Sequence, residues 1–321
     1  MTIEVGCCGY PVSMKKYRDV FKVVELNQTF YRYPKDSTVE KWRKESPPGF
    51  KFTVKAHQEM THRHRFQSDH AAEAFDKMKR ICRILQACVL LFQTPASFTP
   101  DYLDDAQQFF KNVEPEGPNV IWETLGEKWE KPEPREALRK VLKELDVPHV
   151  TDPFKVMPVY TGRLAYFRLH GSGARMYYYQ YTDGELERLH RLVKPYSDPG
   201  KEVYIFFNNL PMFEDAKRFL HFHENAEFPS VTGSVGLDSV RTAIERTRYP
   251  LTKSMLLRKL GWRIVEITEE KQVRLEEISR MLPSKSYENA DEVIDQIGKM
   301  AHDLSQFRTR DVYNEKIPST S

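Results

Sequence analysis

The stretches Val23-Val24-Glu25-Leu26-Asn27 (VVELN) and Tyr166-Phe167-Arg168-Leu169-His170-Gly171 (YFRLHG) decide how this chain is read. Each is a short β-branched or aromatic run that ends in polar or ionisable residues. Six further runs have the same form: VGCCG (Gly6 to Gly9), FTVKAH (Lys55, His57), LLFQTP (Gln93), VIWE (Glu123), PHVTD (Asp152) and YIFFNN (Asn208, Asn209). Such runs read as parallel strands buried on both faces, and eight of them with intervening helices predict an α/β fold, a TIM-type (β/α)8 barrel. In that architecture the working groups sit at the C-terminal ends of the strands, so the run ends are the candidate site.

Working outward, the segment between the first two runs is too short for a long helix, which predicts an irregular first crossover. Helices are expected over Ser37–Glu45, stopped by Pro47, Pro48 and Gly49, and over Ala71–Leu85, where Ala74, Phe75, Met78, Ile81, Cys82 and Leu85 recur at spacings of three and four. Others are expected over Asp101–Asn112, Pro134–Leu145, Asp183–Val193 and about Phe213–His223. The His-rich stretch from His57 to His70 reads as a long surface loop. The β/α pattern is complete by residue 227. Residues 228–236 carry Pro, Ser, Thr and Gly and read as a linker. Residues 237–305 show helical patterns alone and predict a small all-α domain, and 306–321 read as a disordered tail.

The 321 residues suit one barrel of about 250 residues plus that appendix. The net charge of +3 does not demand an acidic partner, so a nucleic-acid contact has to rest on a local patch. One exists: Arg241 to Arg263 holds seven basic residues and one acidic one, net +6, followed by an acidic half that can neutralise it. The four cysteines form no CxxC pair, which argues against a zinc ribbon; with no signal peptide they suggest a cytoplasmic protein. No apolar stretch approaches the roughly 18 residues of a membrane helix.

Alternation along a strand places Glu25 with Asn27, and Arg168 with His170, on common faces. Glu25 and Glu123 are carboxylates suited to acid/base work, and His62 and His170 to proton handling. Arg168 and Lys55 suit an anion, with Arg168 also able to pair with Glu25 or Glu123. Glu25, Glu123, Asp152 and His170 are the candidate ligands of a divalent metal. Cys7 and Cys8 are alternative nucleophiles or small apolar strand ends, and Tyr177, Tyr178, Tyr179 and Tyr181 either stack a ring or cover the core.

VVELNQTFYRYP, Trp42, FKFTVKA, Thr61-His62, FQTP, YFRLHG and FFNN, in this order, resemble the YecE-like family, domain of unknown function 72, over about residues 1 to 226. The resemblance implies a TIM-type barrel, similar in kind to AP-endonuclease and xylose-isomerase barrels, and supplies no reaction. By motif, Glu25, Asn27, Tyr31, Lys55, His62, Gln93, Arg168, His170 and Asn208 match family positions. Thr124 stands where family members often carry an arginine. The region after 237 is faintly similar to another small helical domain.

The expected function is an enzyme acting on a phosphorylated, sugar-containing or nucleic-acid substrate at the barrel mouth, a phosphodiester or glycosidic hydrolase or an isomerase. Glu25, His62, Glu123 and His170 would be catalytic; Asn27, Tyr31, Lys55, Gln93, Arg168 and Asn208 would bind an anionic or sugar-containing ligand. The rivals are a non-catalytic nucleic-acid-binding protein using Arg241–Arg263 and a metal-dependent sugar isomerase or hydrolase.

Overall fold

The computed structural model describes residues 2–67, 69–112, 117–173 and 175–300. The expected tail, 306–321, and the last five residues of the expected appendix lie outside the described residues.

Eight parallel strands alternate with helices along the first two-thirds of the chain. They are β1 (Thr2–Cys7), β2 (Val23–Leu26), β3 (Lys51–Lys55), β4 (Val89–Gln93), β5 (Asn119–Glu123), β6 (His149–Val150), β7 (Leu164–Leu169) and β8 (Glu202–Phe207). Strands β2-β3-β4-β5-β6 form one sheet and β1-β8-β7 another. Single parallel bridges join the sheet edges at Cys8–Glu25 and Thr151–Phe167.

The helices along the same stretch of sequence are α1 (Met14–Arg18), α2 (Gln28–Tyr31), α3 (Asp36–Lys44), α4 (Asp69–Leu85), α5 (Leu103–Lys111), α6 (Pro132–Leu145), α7 (Asp183–Val193) and α8 (Met212–Asn225). Helix α4 buries Ala71, Ala74, Phe75, Met78, Ile81, Cys82 and Leu85, the stripe that a 3.6-residue period produces. Helix α6 ends on Asp146 in the left-handed conformation, φ 52°, where its backbone N–H closes on Leu142 O.

The first crossover is irregular, as its length requires: α1 has five residues. Its Tyr17 is fully buried and stands in for missing ladder bonds between β1 and β2. The Tyr17 hydroxyl accepts from Cys7 N at 2.7 Å and donates to Val23 O at 2.9 Å. Gly6 makes room for this: a Cβ there would lie 2.6 Å from Val23 O and 3.0 Å from the Tyr17 hydroxyl.

The inward strand faces pack Val23, Val89, Leu91, Ile121, Val150, Leu164, Tyr166, Tyr204 and Phe206. Tyr166 stacks on Phe206 at 4.9 Å and on Tyr204 at 5.8 Å. At the N-terminal strand ends Lys51 pairs with Glu4 at 3.2 Å and Glu202 at 3.0 Å. The apolar middle therefore lies between two polar layers.

The described residues divide into two compact units, the first within 1–169 and 189–208 and the second within 170–188 and 209–321. The second unit is not all-helical, which corrects the expectation for 237–305. Helices α9 (Gly236–Ile244), α10 (Lys253–Leu260), α11 (Leu275–Ser279) and α12 (Ala290–Met300) accompany four short strands: β9 (Leu251–Thr252), β10 (Ile264–Thr268), β11 (Lys271–Arg274) and β12 (Ser286–Tyr287). β10 pairs antiparallel with β11, and β9 with β12. Strands of two to five residues are too short for an alternation to stand out against the flanking helical period. Val240, Ile244, Leu256, Val265, Ile278 and Val293 build this unit's core. Residues read as a linker are stitched to β10: Glu266 accepts from Ser230 Oγ at 2.6 Å and from Val231 N and Thr232 N at 3.0 Å. Arg274 donates to Gln180 O at 2.9 Å and lies over the Tyr179 ring, while the Tyr179 hydroxyl donates to buried Glu185. Tyr179 and Tyr181 are thus core, whereas Tyr177 is exposed.

Tyr17→Phe keeps the ring and removes both hydroxyl bonds at the β1/β2 seam. Urea unfolding should show a loss of about 1–3 kcal/mol, the cost of losing buried hydrogen-bond partners. A variant as stable as the parent would mean that the seam does not depend on Tyr17.

Candidate active site

Inward-facing residues at the ends of β2, β3, β4, β5 and β7 meet in one hydrogen-bonded chain. Its centre is Arg168, 1% exposed. Its Nε donates to Glu25 Oε2 at 3.0 Å, its Nη2 to Glu25 Oε1 at 2.9 Å and its Nη1 to Glu123 Oε2 at 2.5 Å. Tyr166 donates to Glu25 Oε2 at 2.8 Å and is joined to Thr53 Oγ1 at 2.8 Å. Gln93 Nε2 donates to Glu123 Oε2 at 2.6 Å, and Lys55 Nζ donates to Gln93 Oε1 at 2.6 Å. Period-two alternation accounts for the convergence: Tyr166 and Arg168 share a face of β7, and Thr53 and Lys55 share a face of β3.

The electrostatics follow from burial. Desolvation works against a charged Glu25, but the Arg168 charge and hydrogen bonds outweigh it and hold the carboxyl below its usual range. Arg168 is likewise desolvated, and Glu123 and Glu25 more than restore its charge. All three guanidinium nitrogens of Arg168 are thus engaged by the two carboxylates. Cys8 lies 3.7 Å from Arg168 Nη2, but burial and Glu25 push its thiol well up, so it is not a thiolate nucleophile.

Lys55 differs. It is buried, yet among the described residues no carboxylate lies within ion-pair distance of its Nζ; the partner is the neutral Gln93 amide. The Phe30 ring centroid lies 4.0 Å from the ammonium. Burial and the Arg168 charge push its pKa down to about 8, against the opposing pull of Glu123 and Glu25. His62 packs edge-on to the same Phe30 ring at 4.9 Å, with Thr61 Oγ1 2.9 Å from its Nδ1. Burial and the Lys55 charge lower its pKa, so the imidazole is neutral at physiological pH. His62 rides on a π-helical turn, Glu59–Arg63, whose Met60 and Thr61 are buried. The expected loop is therefore partly a built element.

The other expected residues are more scattered. Asn27 sits before α2, with its side-chain oxygen buried and without a hydrogen-bond partner. Tyr31 is 70% exposed, edge-on to Phe30 at 5.0 Å. Asn208 is half-buried at the end of β8. His170 belongs to the second unit, half-buried, its ring 6.1 Å from Tyr177. Asp152 is buried and accepts from Phe154 N at 3.1 Å. Among the described residues no three His, Cys, Asp or Glu side chains gather in a metal-binding group. Arg168 supplies the positive charge between Glu25 and Glu123 that a cation would supply. Sequence reading missed Tyr166, Thr53 and Phe30. The first two were accessible from period two, one step below Arg168 and Lys55, whereas Phe30 lies on α2, where no alternation points to it.

Replacing Arg168 by Met leaves two carboxylates buried without their cation. It should cost about 3–5 kcal/mol in chemical unfolding, the penalty for removing one partner of a buried ion pair. Lys55 makes an opposite, pH-dependent prediction. Its folded pKa is lowered, to about 8, so between pH 8 and about 10.5 the unfolded chain binds more protons and folding gains stability as pH rises. From pH 7 to 10.5 the parent should gain up to about 3 kcal/mol relative to Lys55→Met. A pH-independent difference between the two would show that Lys55 titrates normally.

Residues 10–233 match the family model described as "Protein of unknown function DUF72". The chain is 27% identical over 226 residues, 61% of its own length and 80% of the relative's, to the UPF0759 protein YunF of Bacillus subtilis (strain 168). Its fold is similar to that of a DUF72 family protein from Enterococcus faecalis V583, with TM-score 0.58 and 22% identity over 70% of this chain and 98% of that one. A DUF72 family protein from Thermotoga maritima MSB8 is also similar, with TM-score 0.56 and 22% identity over 70% of this chain and all of that one. With the matched segment spanning well over half of the residues, the chain belongs to the DUF72 family.

Proposed function

We propose that the two parallel sheets form one closed β/α barrel and that the chain is an enzyme acting at the C-terminal strand ends on a phosphorylated or sugar-containing substrate. Support for closure comes from the two edge bridges and from the Tyr17 hydroxyl between β1 and β2. The observation that carries the enzymatic reading is Lys55. A buried lysine held by an amide and an aromatic ring, without a carboxylate of its own, is costly unless its charge or its amine is used. Having one hydrogen bond to Gln93, the ammonium keeps donors for a phosphate or carbonyl oxygen. His62 is the adjacent proton carrier, Asn27 offers an unmet acceptor, and exposed Tyr31 offers a face for a sugar ring. Glu25 and Glu123 hold Arg168 and tune the charge around Lys55, which favours proton-transfer or isomerase chemistry over a two-carboxylate glycosidase.

The nucleic-acid reading keeps one support. Arg246, Arg248, Arg258 and Lys259 are exposed on the second unit. Against it, Arg241 pairs with Asp291, and Arg263 donates to Ala243 O at 2.7 Å, so part of the basic stretch is spent within the unit. The described residues include no helix long and apolar enough to cross a membrane.

Titration calorimetry with ribose 5-phosphate separates the readings. Binding should weaken about tenfold or more in Lys55→Met, the worth of a charge-assisted hydrogen bond, and be unchanged in the double variant Arg258→Ala/Lys259→Ala. If instead a DNA oligonucleotide binds with a steep salt dependence that the double variant flattens and Lys55→Met leaves alone, the nucleic-acid reading replaces the enzymatic one.

A further inference from the structure

We propose that Lys55 is an imine-forming nucleophile and that the substrate class is an aldehyde or ketone of a phosphorylated or polyhydroxylated carbon chain. This deepens the reading above and rests on it.

Three features of the geometry lead there. The Lys55 amine is buried but bound to Gln93 Oε1, an acceptor that cannot take its proton, so the neutral amine keeps a place to sit. Phe30 covers one side of the head group at 4.0 Å and joins it to His62, whose ring packs on the same phenyl. Finally, Glu25, Glu123 and Arg168 sum to one formal negative charge, which balances a cation at the Lys55 nitrogen whether that cation is ammonium or iminium. The network therefore does not have to reorganise as one cation replaces the other. The lowered pKa adds to this: at about 8 the free amine at pH 7 is more than a hundredfold commoner than on an ordinary lysine.

The step balances without any oxidant or reductant. The Lys55 ammonium gives a proton to solvent water. The freed lone pair adds to the carbonyl carbon, and the C=O π pair moves to oxygen, which takes up a proton as the nitrogen gives one up. The carbinolamine C–O bond then breaks as the nitrogen lone pair forms C=N, and the oxygen leaves as water with a proton taken back from solvent. Ammonium plus carbonyl gives iminium plus water. The iminium withdraws electrons from the neighbouring carbon, as proton abstraction or carbon–carbon cleavage there requires.

The test is reductive trapping on the full chain. The protein is incubated at pH 7 with ribose 5-phosphate or dihydroxyacetone phosphate and sodium cyanoborohydride, then intact mass and peptide maps are read. A parallel calorimetric titration of the same probes reports binding. One reduced adduct on the peptide carrying Lys55, about tenfold or more above the average exposed lysine and absent in Lys55→Arg, is the expected result, since free-amine fraction sets the rate. Probe binding without an adduct at Lys55, or adducts spread over surface lysines with no preference, overturns the imine and leaves the ligand site standing. Absence of both binding and adduct overturns the ligand site as well.

Discussion

A guanidinium buried between two carboxylates is the constraint on which the upper layer of the strands depends. Arg168 on β7 draws Glu25 of β2 and Glu123 of β5 into one arrangement, so strands of both sheets share a single ion cluster. Such a cluster is no free source of stability, because desolvating three charges costs about as much as their attraction returns. Its effect is positional. With every guanidinium nitrogen engaged and Tyr166 bonded to Glu25, no member can rotate without leaving a buried charge unpaired. The register of the strand ends is set by that penalty.

Lys55 draws its character from this neighbourhood. It lies at the far end of the chain Arg168–Glu123–Gln93–Lys55, where a carboxamide separates it from the nearest carboxylate. Had Glu123 reached Lys55 directly, a salt bridge would have locked the amine in its charged form. Gln93 passes on orientation without the charge, and burial and Arg168 oppose protonation, which lowers the pKa of the amine to about 8. A layer of ion pairs therefore conditions the charge of one buried amine.

Much of this was legible in the residues. Glu25, Lys55, Gln93, Glu123 and Arg168 were singled out as the polar ends of short apolar runs, and the structure brings these five together. The roles were less legible than the places. Arg168 and Lys55 both read as anion-binding cations, because a sequence shows that two cations share a layer but not which carboxylates lie within three ångströms of each. Phe30 was invisible, since a four-residue helix has no period to reveal its inward face. In the second unit, β9 and β12 are two residues each, and their pairing links positions more than thirty residues apart, which no local pattern encodes.

Composition and alternation by themselves determined an α/β chain with parallel strands, a short first crossover and polar strand ends, because burial on two faces and a fixed two-residue repeat leave little choice. Tertiary structure decided which polar residue faces which. Only there does Tyr17 find both Cys7 and Val23, and does Glu266 capture the segment that read as a linker. Only there does Arg168 become sealed and Lys55 become the group left without a carboxylate. Charge and reactivity depend on distances across the fold, which carry no trace along the chain.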